Sequence, residues 1–183
     1  MTEYDRKSIM EIGEIYFWTC TILHWQKLLF DESYKEVVIQ SLQYLKSKNK
    51  ITIYSYVIMP NHIHMIWRLN EMNGKEMPNA SFTKHTAHVF KNKLKLEKPD
   101  ELRKYSVNEY DRKYRIWQRD SLAILLDTRK KAEQKLDYIH FNPMQERWKL
   151  VNVPEEYAWS SATYYKTGID KFNLLSHYME EYI

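Results

Sequence analysis

Three observations predict an α+β fold for this sequence: a ferredoxin-like split βαβ antiparallel sheet with helices on one face, plus a separate helix toward the C-terminus. Apolar periodicity switches between two and 3.6 in the order strand, helix, strand, strand, helix, strand, helix, and the first six elements follow the split βαβ plan. The 183 residues suffice for one domain with a substantial core. Only 3 Gly and 5 Pro leave little room for a linker or low-complexity tract. The expectation is one domain, residues 1–183, with its core over about 15–168.

Each element has its own justification. Ile15–Leu23 (IYFWTCTIL) is β-branched and aromatic and predicts a strand. Asp31 is placed to cap a helix running to about Lys48, with Val37, Val38, Leu42 and Leu45 at helical spacing. Ile51–Ile58 and His62–Leu69 are two further strands, joined into a hairpin by the turn Met59-Pro60-Asn61. Asn70–Asn79 is a polar loop, after which Asn79 or Ser81 caps a helix to about Leu96. Pro99–Glu109 looks irregular, and Tyr114–Gln118 is expected as the short fourth strand. Asp127 caps a helix from Thr128 to His140 or Phe141, which Pro143 stops. Pro154 opens an acidic turn, and Ala162–Tyr165 continues as helix until Gly168. No internal repeat appears.

The composition, 44% hydrophobic and 28% charged with a mean hydropathy of −0.67, is that of a soluble globular chain. No apolar run approaches the ~18 residues of a membrane helix, so no membrane partner is expected. Met1–Met10 is polar and charged, unlike a secretory signal. The single Cys20 excludes an internal disulfide and a cysteine-based zinc cluster and suits a reducing cytoplasm; with the DNA partner argued below, the expected location is cytoplasmic and nucleoid-associated. A net charge of +4 hints only weakly at a polyanion, but 15 Tyr and 6 Trp exceed what a small core needs.

His62-Ile63-His64 lies on the third strand. A strand repeats every two residues, so both imidazoles leave one face and can converge on one cation. Chance alone supplies roughly 0.3 such pairs in a chain of this composition, so two ordinary strand histidines stay open as the bland alternative. A second feature is the helix bearing Tyr138. Asn142 lies four residues on, on the same face, where its side-chain oxygen can act as a third ligand; Gln134 extends the stripe backward. His140 points about 200° from Tyr138 and is expected to pack rather than ligate. A phenol, with pKa ~10, is a poor nucleophile near neutrality; a cation on a phosphate would neutralise charge and orient phosphorus for in-line attack.

The run Tyr56-Val57-Ile58-Met59-Pro60-Asn61-His62-Ile63-His64-Met65-Ile66-Trp67 resembles the signature of the HUH single-tyrosine transposases of insertion sequences. Tyr138-Ile139-His140-Phe141-Asn142-Pro143 resembles the YIHxNP box of the REP-associated branch of that family. Trp117-Gln118-Arg119 and Pro154-Glu155-Glu156-Tyr157-Ala158-Trp159-Ser160-Ser161 resemble two more of its blocks, in the same order. The resemblance spans roughly Ile15 to Gly168, and four ordered blocks are far more specific than one. It implies a ferredoxin-like catalytic domain that nicks single-stranded DNA near hairpins through a 5′-phosphotyrosine, with Mg²⁺ or Mn²⁺ as cofactor. It also implies His62 and His64 as ligands and Tyr138 as nucleophile on a catalytic C-terminal helix; Asn142 sits where relatives place an amide or imidazole ligand. Two imidazoles rank Mn²⁺ above Mg²⁺ for tightness. Monomer and homodimer both stay open. So do a domesticated DNA-processing nuclease and a catalytically silent hairpin-binding protein, although retention of His62, His64, Tyr138 and Asn142 argues against silence.

Two basic surfaces suit single-stranded or hairpin DNA. Lys84, His88, Lys91, Lys95 and Lys98 form an acid-free stripe along one helix face, with Phe90 and Leu94 on the neighbouring stripe. Between Arg103 and Arg119, six basic residues interleave with Tyr105, Tyr110, Tyr114 and Trp117. There Arg112, Lys113, Arg115 and Arg119 are candidate phosphate contacts, and Trp117 is either a stacking or a core residue.

Overall fold

The computed structural model describes residues 9–119 and 121–181. Most of the segment expected not to be a secretory signal, residues 1–8, lies outside them. Strand β1 (Ile15–Thr21) leads through two single 3₁₀ turns into helix α1 (Glu32–Ser47). Asp31 caps α1 as its sequence position predicts, its carboxylate accepting the Ser33 N–H at 3.1 Å. Strands β2 (Ile51–Ile58) and β3 (His62–Leu69) form the expected hairpin. Helix α2 spans Pro78–Glu97, capped at Met77 and so starting four residues earlier than a Ser81 cap would have it. Pro78 takes the first helical position, where its missing N–H has no intrahelical acceptor to lose.

The segment expected to be irregular is partly ordered: α3 (Pro99–Leu102), then β4 (Ser106–Glu109), which pairs with β5 (Arg112–Tyr114) as a separate two-stranded ribbon. The fourth strand of the main sheet is therefore β6 (Leu122–Leu125), not Tyr114–Gln118. The physical reason is that the open edge of β1 is shared by two successive segments. Residues Tyr16–Thr19 pair with β6, while the continuation is taken by an isolated bridge from Ile22 to Trp117 and the Gln118 N–H bond to Thr21 O at 2.8 Å. Helix α4 (Arg129–Phe141) is capped by Thr128 rather than Asp127, whose carboxylate instead accepts from Lys131 Nζ at 2.7 Å. Helix α5 (Ala162–Thr167) ends at Gly168, where φ is +78°.

The sheet order β2-β3-β1-β6, antiparallel throughout, is that of a ferredoxin-like split βαβ fold. Helices α1 and α2 cover one face, where Trp18, Trp67, Phe82, Phe90 and Trp117 are buried. Trp18 lies 4.9 Å from Trp67 and 6.0 Å from Phe82, ring centre to ring centre. Helix α4 covers the other face, with Tyr138 against Phe17 at 5.9 Å. A β-bulge between Ile53 and Ser55 shifts the alternation of β2, so that Ser55 and Val57 join the α4 face, paired with Ile66 and His64. The outer edge of β2 is covered by the C-terminal segment, through bridges to Ser160 and Leu175 and the Tyr157 hydroxyl donating to Ile58 O at 2.8 Å. That cover removes an open edge that could pair with another chain. Among the described residues no helix is long and apolar enough to cross a membrane.

Candidate active site

His62 and His64 alternate with buried Ile63 and Met65 along β3, so the pair points away from α1 and α2 toward α4. Their ring centres are 4.5 Å apart. Tyr138, on the facing side of α4, has its ring 5.2 Å from His64 and stays 38% exposed to solvent. Phe17 of β1 stacks on His64 at 5.2 Å, with 25° between the ring planes. One turn beyond Tyr138, Asn142 ends the helix fully buried, and neither its carboxamide oxygen nor its nitrogen has a hydrogen-bond partner among the described residues.

Hydrogen bonds set which ring nitrogen is available. Asn61 donates from Nδ2 to Trp25 O at 3.3 Å, which turns its oxygen toward His62 Nδ1 at 2.6 Å. A carboxamide oxygen only accepts, so His62 carries its proton on Nδ1 and its lone pair on Nε2. His64 Nδ1 shares a 2.7 Å bond with the Thr19 hydroxyl, and its buried Nε2 is unpartnered among the described residues. Burial, with the charge of Arg147, pushes His62 down to about 4. Burial drives His64 well below the usual imidazole range too, reinforced by His62, Arg147 and Lys135. Both rings are thus neutral near pH 7, the form that binds metals.

These observations fit a divalent cation: two neutral imidazoles on one face, an orphaned Nε2, and a buried amide with no other partner. Among the described residues no cluster of three or more His, Cys, Asp or Glu side chains exists, so the amide of Asn142 is the natural third donor. Asn61 and Thr19 orient the two rings, as the outer partners of a metal's imidazole ligands would. Neither was singled out as a site residue from sequence, although Asn61 directly precedes the histidine pair and Thr19 becomes visible once the β1–β3 register pairs it with His64. Lys135, three residues before Tyr138 on the same helix face, was also missed. Its ammonium lies 4.8 Å from the Phe17 ring centre and 5.7 Å from that of Tyr138.

No protein-family model matches the chain. A curated Haemophilus influenzae protein named "Putative REP-associated tyrosine transposase" is 29% identical over 107 residues, which are 57% of this chain and 54% of that protein. The chain thus spans about half the length of the curated relative it matches. A solved structure described as a REP-associated tyrosine transposase bound to a REP hairpin superposes with a TM-score of 0.63 at 19% identity, over 96% of this chain and 92% of that one. The chain is similar in sequence and in fold to the REP-associated tyrosine transposases.

Within this fold the two basic surfaces meet. Lys84, His88 and Lys91 on α2 face Arg112, Arg115 and Arg119 across a cleft of about 860 Å³. Trp18 and Cys20 in its lining place it on the α2 side of the sheet, away from Tyr138. Several of these cations are already engaged. Glu76, from the preceding loop, pairs with Lys84. Arg112 pairs with Asp111, and Arg115 and Arg119 converge on Glu109. Arg115 is only 11% exposed at its side chain and serves as an internal counter-charge. His88 bonds Asn92 at 3.0 Å, and Lys98 pairs with Asp31 at 3.2 Å. Lys91 lines the cleft, whereas Lys95 and Lys113 lie outside its lining, Lys113 with its ammonium 5.5 Å from the Tyr114 ring centre. Trp117 is core: 5% exposed, its indole N–H donating to Thr86 Oγ1 at 2.9 Å. His140 packs as expected, its Nε2 sharing a 2.9 Å bond with Ser161 Oγ.

Proposed function

We propose that this chain is a metal-dependent DNA strand transferase that cuts single strands beside hairpins through a covalent bond to Tyr138. The observation that carries the proposal is the Tyr138 ring facing His64 at 5.2 Å, over the sheet face that carries two neutral imidazoles, with the carboxamide of buried Asn142 four residues on left without a partner among the described residues. His62, His64 and Asn142 would hold Mn²⁺ or Mg²⁺, which supplies Lewis acidity and charge neutralisation at the scissile phosphate. Tyr138 contributes the nucleophile. Its phenolic oxygen bonds to phosphorus, the P–O3′ bond breaks, and in net terms the phenol proton passes to the departing 3′ oxygen. A 5′-phosphotyrosine and a free 3′ hydroxyl result. The phosphodiester to tyrosine conserves the bond, so a later DNA hydroxyl can reverse the step. Lys135 adds positive charge beside the phenol, where a phosphate would sit. The curated relative's name, a REP-associated tyrosine transposase, and the REP hairpin bound by the structural neighbour support the coarser part of this reading, a tyrosine transposase acting at DNA hairpins.

The test is incubation of the chain with end-labelled, hairpin-bearing single strands and Mn²⁺. A covalent band on denaturing gels, mapped by mass spectrometry to the Tyr138 peptide through a 5′ phosphate, is expected. An adduct on another tyrosine, such as Tyr164 or Tyr165, or none at all with DNA bound, would overturn the mechanism.

A further inference from the structure

Leu23-His24-Trp25 forms a single turn between β1 and α1 in which two consecutive non-glycine residues hold positive φ, 53° at His24 and 57° at Trp25. A bulky residue rarely adopts that conformation, and such backbone persists only where surrounding bonds enforce it. Here the Trp25 N–H donates to Ile22 O at 2.9 Å, and Asn61 Nδ2 reaches Trp25 O. The outcome is an indole left 58% exposed, its ring 6.4 Å from that of His62. An indole used for packing would be buried, as Trp18, Trp67 and Trp117 are.

Cations surround the same spot. Trp148 lies 6.0 Å from His62, and its ring centre is 5.9 Å both from the Lys27 ammonium and from the Arg147 guanidinium. Neither cation is in an ion pair with a described residue, and the charge of Arg147 is felt by both histidines. Beyond Trp25 opens a second cleft, of about 420 Å³, lined in part by Lys27, Phe30 and Lys104. Phe30 is 69% exposed there. Exposed aromatics interleaved with uncompensated cations suit an unpaired nucleic-acid strand, whose bases stack and whose phosphates need counter-charge. In a duplex the base faces are already stacked.

We propose that Trp25, Lys27 and Arg147 form a nucleotide subsite: an unpaired DNA base flanking the scissile phosphate stacks on the Trp25 indole. Lys27 and Arg147 each neutralise one of the adjoining phosphates, and the strand continues past Phe30 into the second cleft. Asn61 couples this subsite to the candidate metal centre, because one carboxamide holds both the Trp25 carbonyl and the His62 ring. The subsite rests on the strand-transfer function proposed above.

The test uses the full chain carrying Tyr138→Phe, to prevent turnover, and hairpin oligonucleotides with 2-aminopurine at successive unpaired positions. Fluorescence should be quenched at one or two consecutive positions beside the cleavage point. Adding Trp25→Ala should abolish that quenching and weaken binding about tenfold, while Trp25→Phe retains most of both. Lys27→Ala and Arg147→Ala should each lower the log–log salt slope of binding by about 0.7. If the chain with native Tyr138 cleaves DNA but Trp25→Ala leaves quenching and affinity unchanged, the subsite is overturned and strand transfer stands. A chain that neither binds nor cleaves single strands overturns the proposed function, and the subsite with it.

Discussion

At the scale of the residue, Tyr138 and Asn61 make separable contributions. Tyr138→Phe removes one oxygen from a side chain 38% exposed, so the thermal midpoint should shift by no more than a degree or two while covalent adduct formation stops completely. Differential scanning fluorimetry alongside the gel assay checks both halves; residual adduct in the Phe variant would remove Tyr138 from the chemistry. Asn61 is expected to act through His62 rather than on the DNA itself. Its oxygen sets the His62 tautomer, so Asn61→Leu should weaken Mn²⁺ binding about 10- to 100-fold, read by titration calorimetry, while the fold stays intact. Affinity equal to that of the native chain would mean that the imidazole needs no such orienter.

At the scale of the element, α4 must be held in register for Tyr138 and Asn142 to face β3. The pin is a buried polar knot. His140 Nε2, Ser161 Oγ and Ser55 Oγ lie within 2.8–3.5 Å of one another, tying α4 to β2 and to the C-terminal segment. His140→Ala strips a partner from two buried hydroxyls and should cost roughly 1–3 kcal/mol in urea unfolding. Burial pushes His140 down to about 4 from an ordinary 6.5, with Glu155 opposing weakly. The unfolded chain therefore takes up that proton first as pH falls. Stability from this group is complete above about 6.5 and is lost progressively toward about 4, by roughly 3 kcal/mol. His62, also pushed down to about 4, acts in the same direction in the same window. Urea midpoints measured in chelator should fall steeply between pH 6.5 and 4, and less steeply in His140→Ala; parallel curves would show that His140 titrates normally.

At the scale of the whole molecule, Tyr138 meets His64 of its own chain, so the proposed nucleophile and a proposed ligand lie on one chain. Mixing Tyr138→Phe protein with His64→Ala protein should therefore restore no cleavage. Restored adduct on the His64→Ala chain would mean that helices are exchanged between two copies. The α2 cleft gives a second whole-molecule expectation. Its cations are partly neutralised by Glu76, Glu109 and Asp111, and Lys91 is the one of them that lines the cleft without an acidic partner among the described residues. Lys91→Ala should lower the salt slope of DNA binding by about 0.7, and Arg115→Ala should cost stability rather than change that slope. Equal slopes for the native chain and Lys91→Ala would make the stripe a solvated face.

Local periodicity was enough to read β1, β2, β3, the three longer helices and the Asp31 cap, because alternation and 3.6-residue spacing are written in adjacent residues. The shared strand face of His62 and His64 and the shared helix face of Tyr138 and Asn142 were legible for the same reason. The fourth strand was not: Leu122–Leu125 and Ile116–Gln118 are both short apolar runs, and only competition for the β1 edge assigns one to the sheet and the other to a bridge. Thr19, Lys135 and Trp25 could not be read as neighbours of the histidine pair, since cross-strand register and helix docking bring them there. Nor could the pairing of Arg115 with Glu109, which turns an apparent phosphate contact into an internal charge pair. By itself the sequence determined the element order and the donors carried on β3 and α4. The tertiary structure alone decided that Tyr138 on α4 faces His64 on β3, because packing α4 against the second face of the sheet is a long-range event that no local spacing encodes.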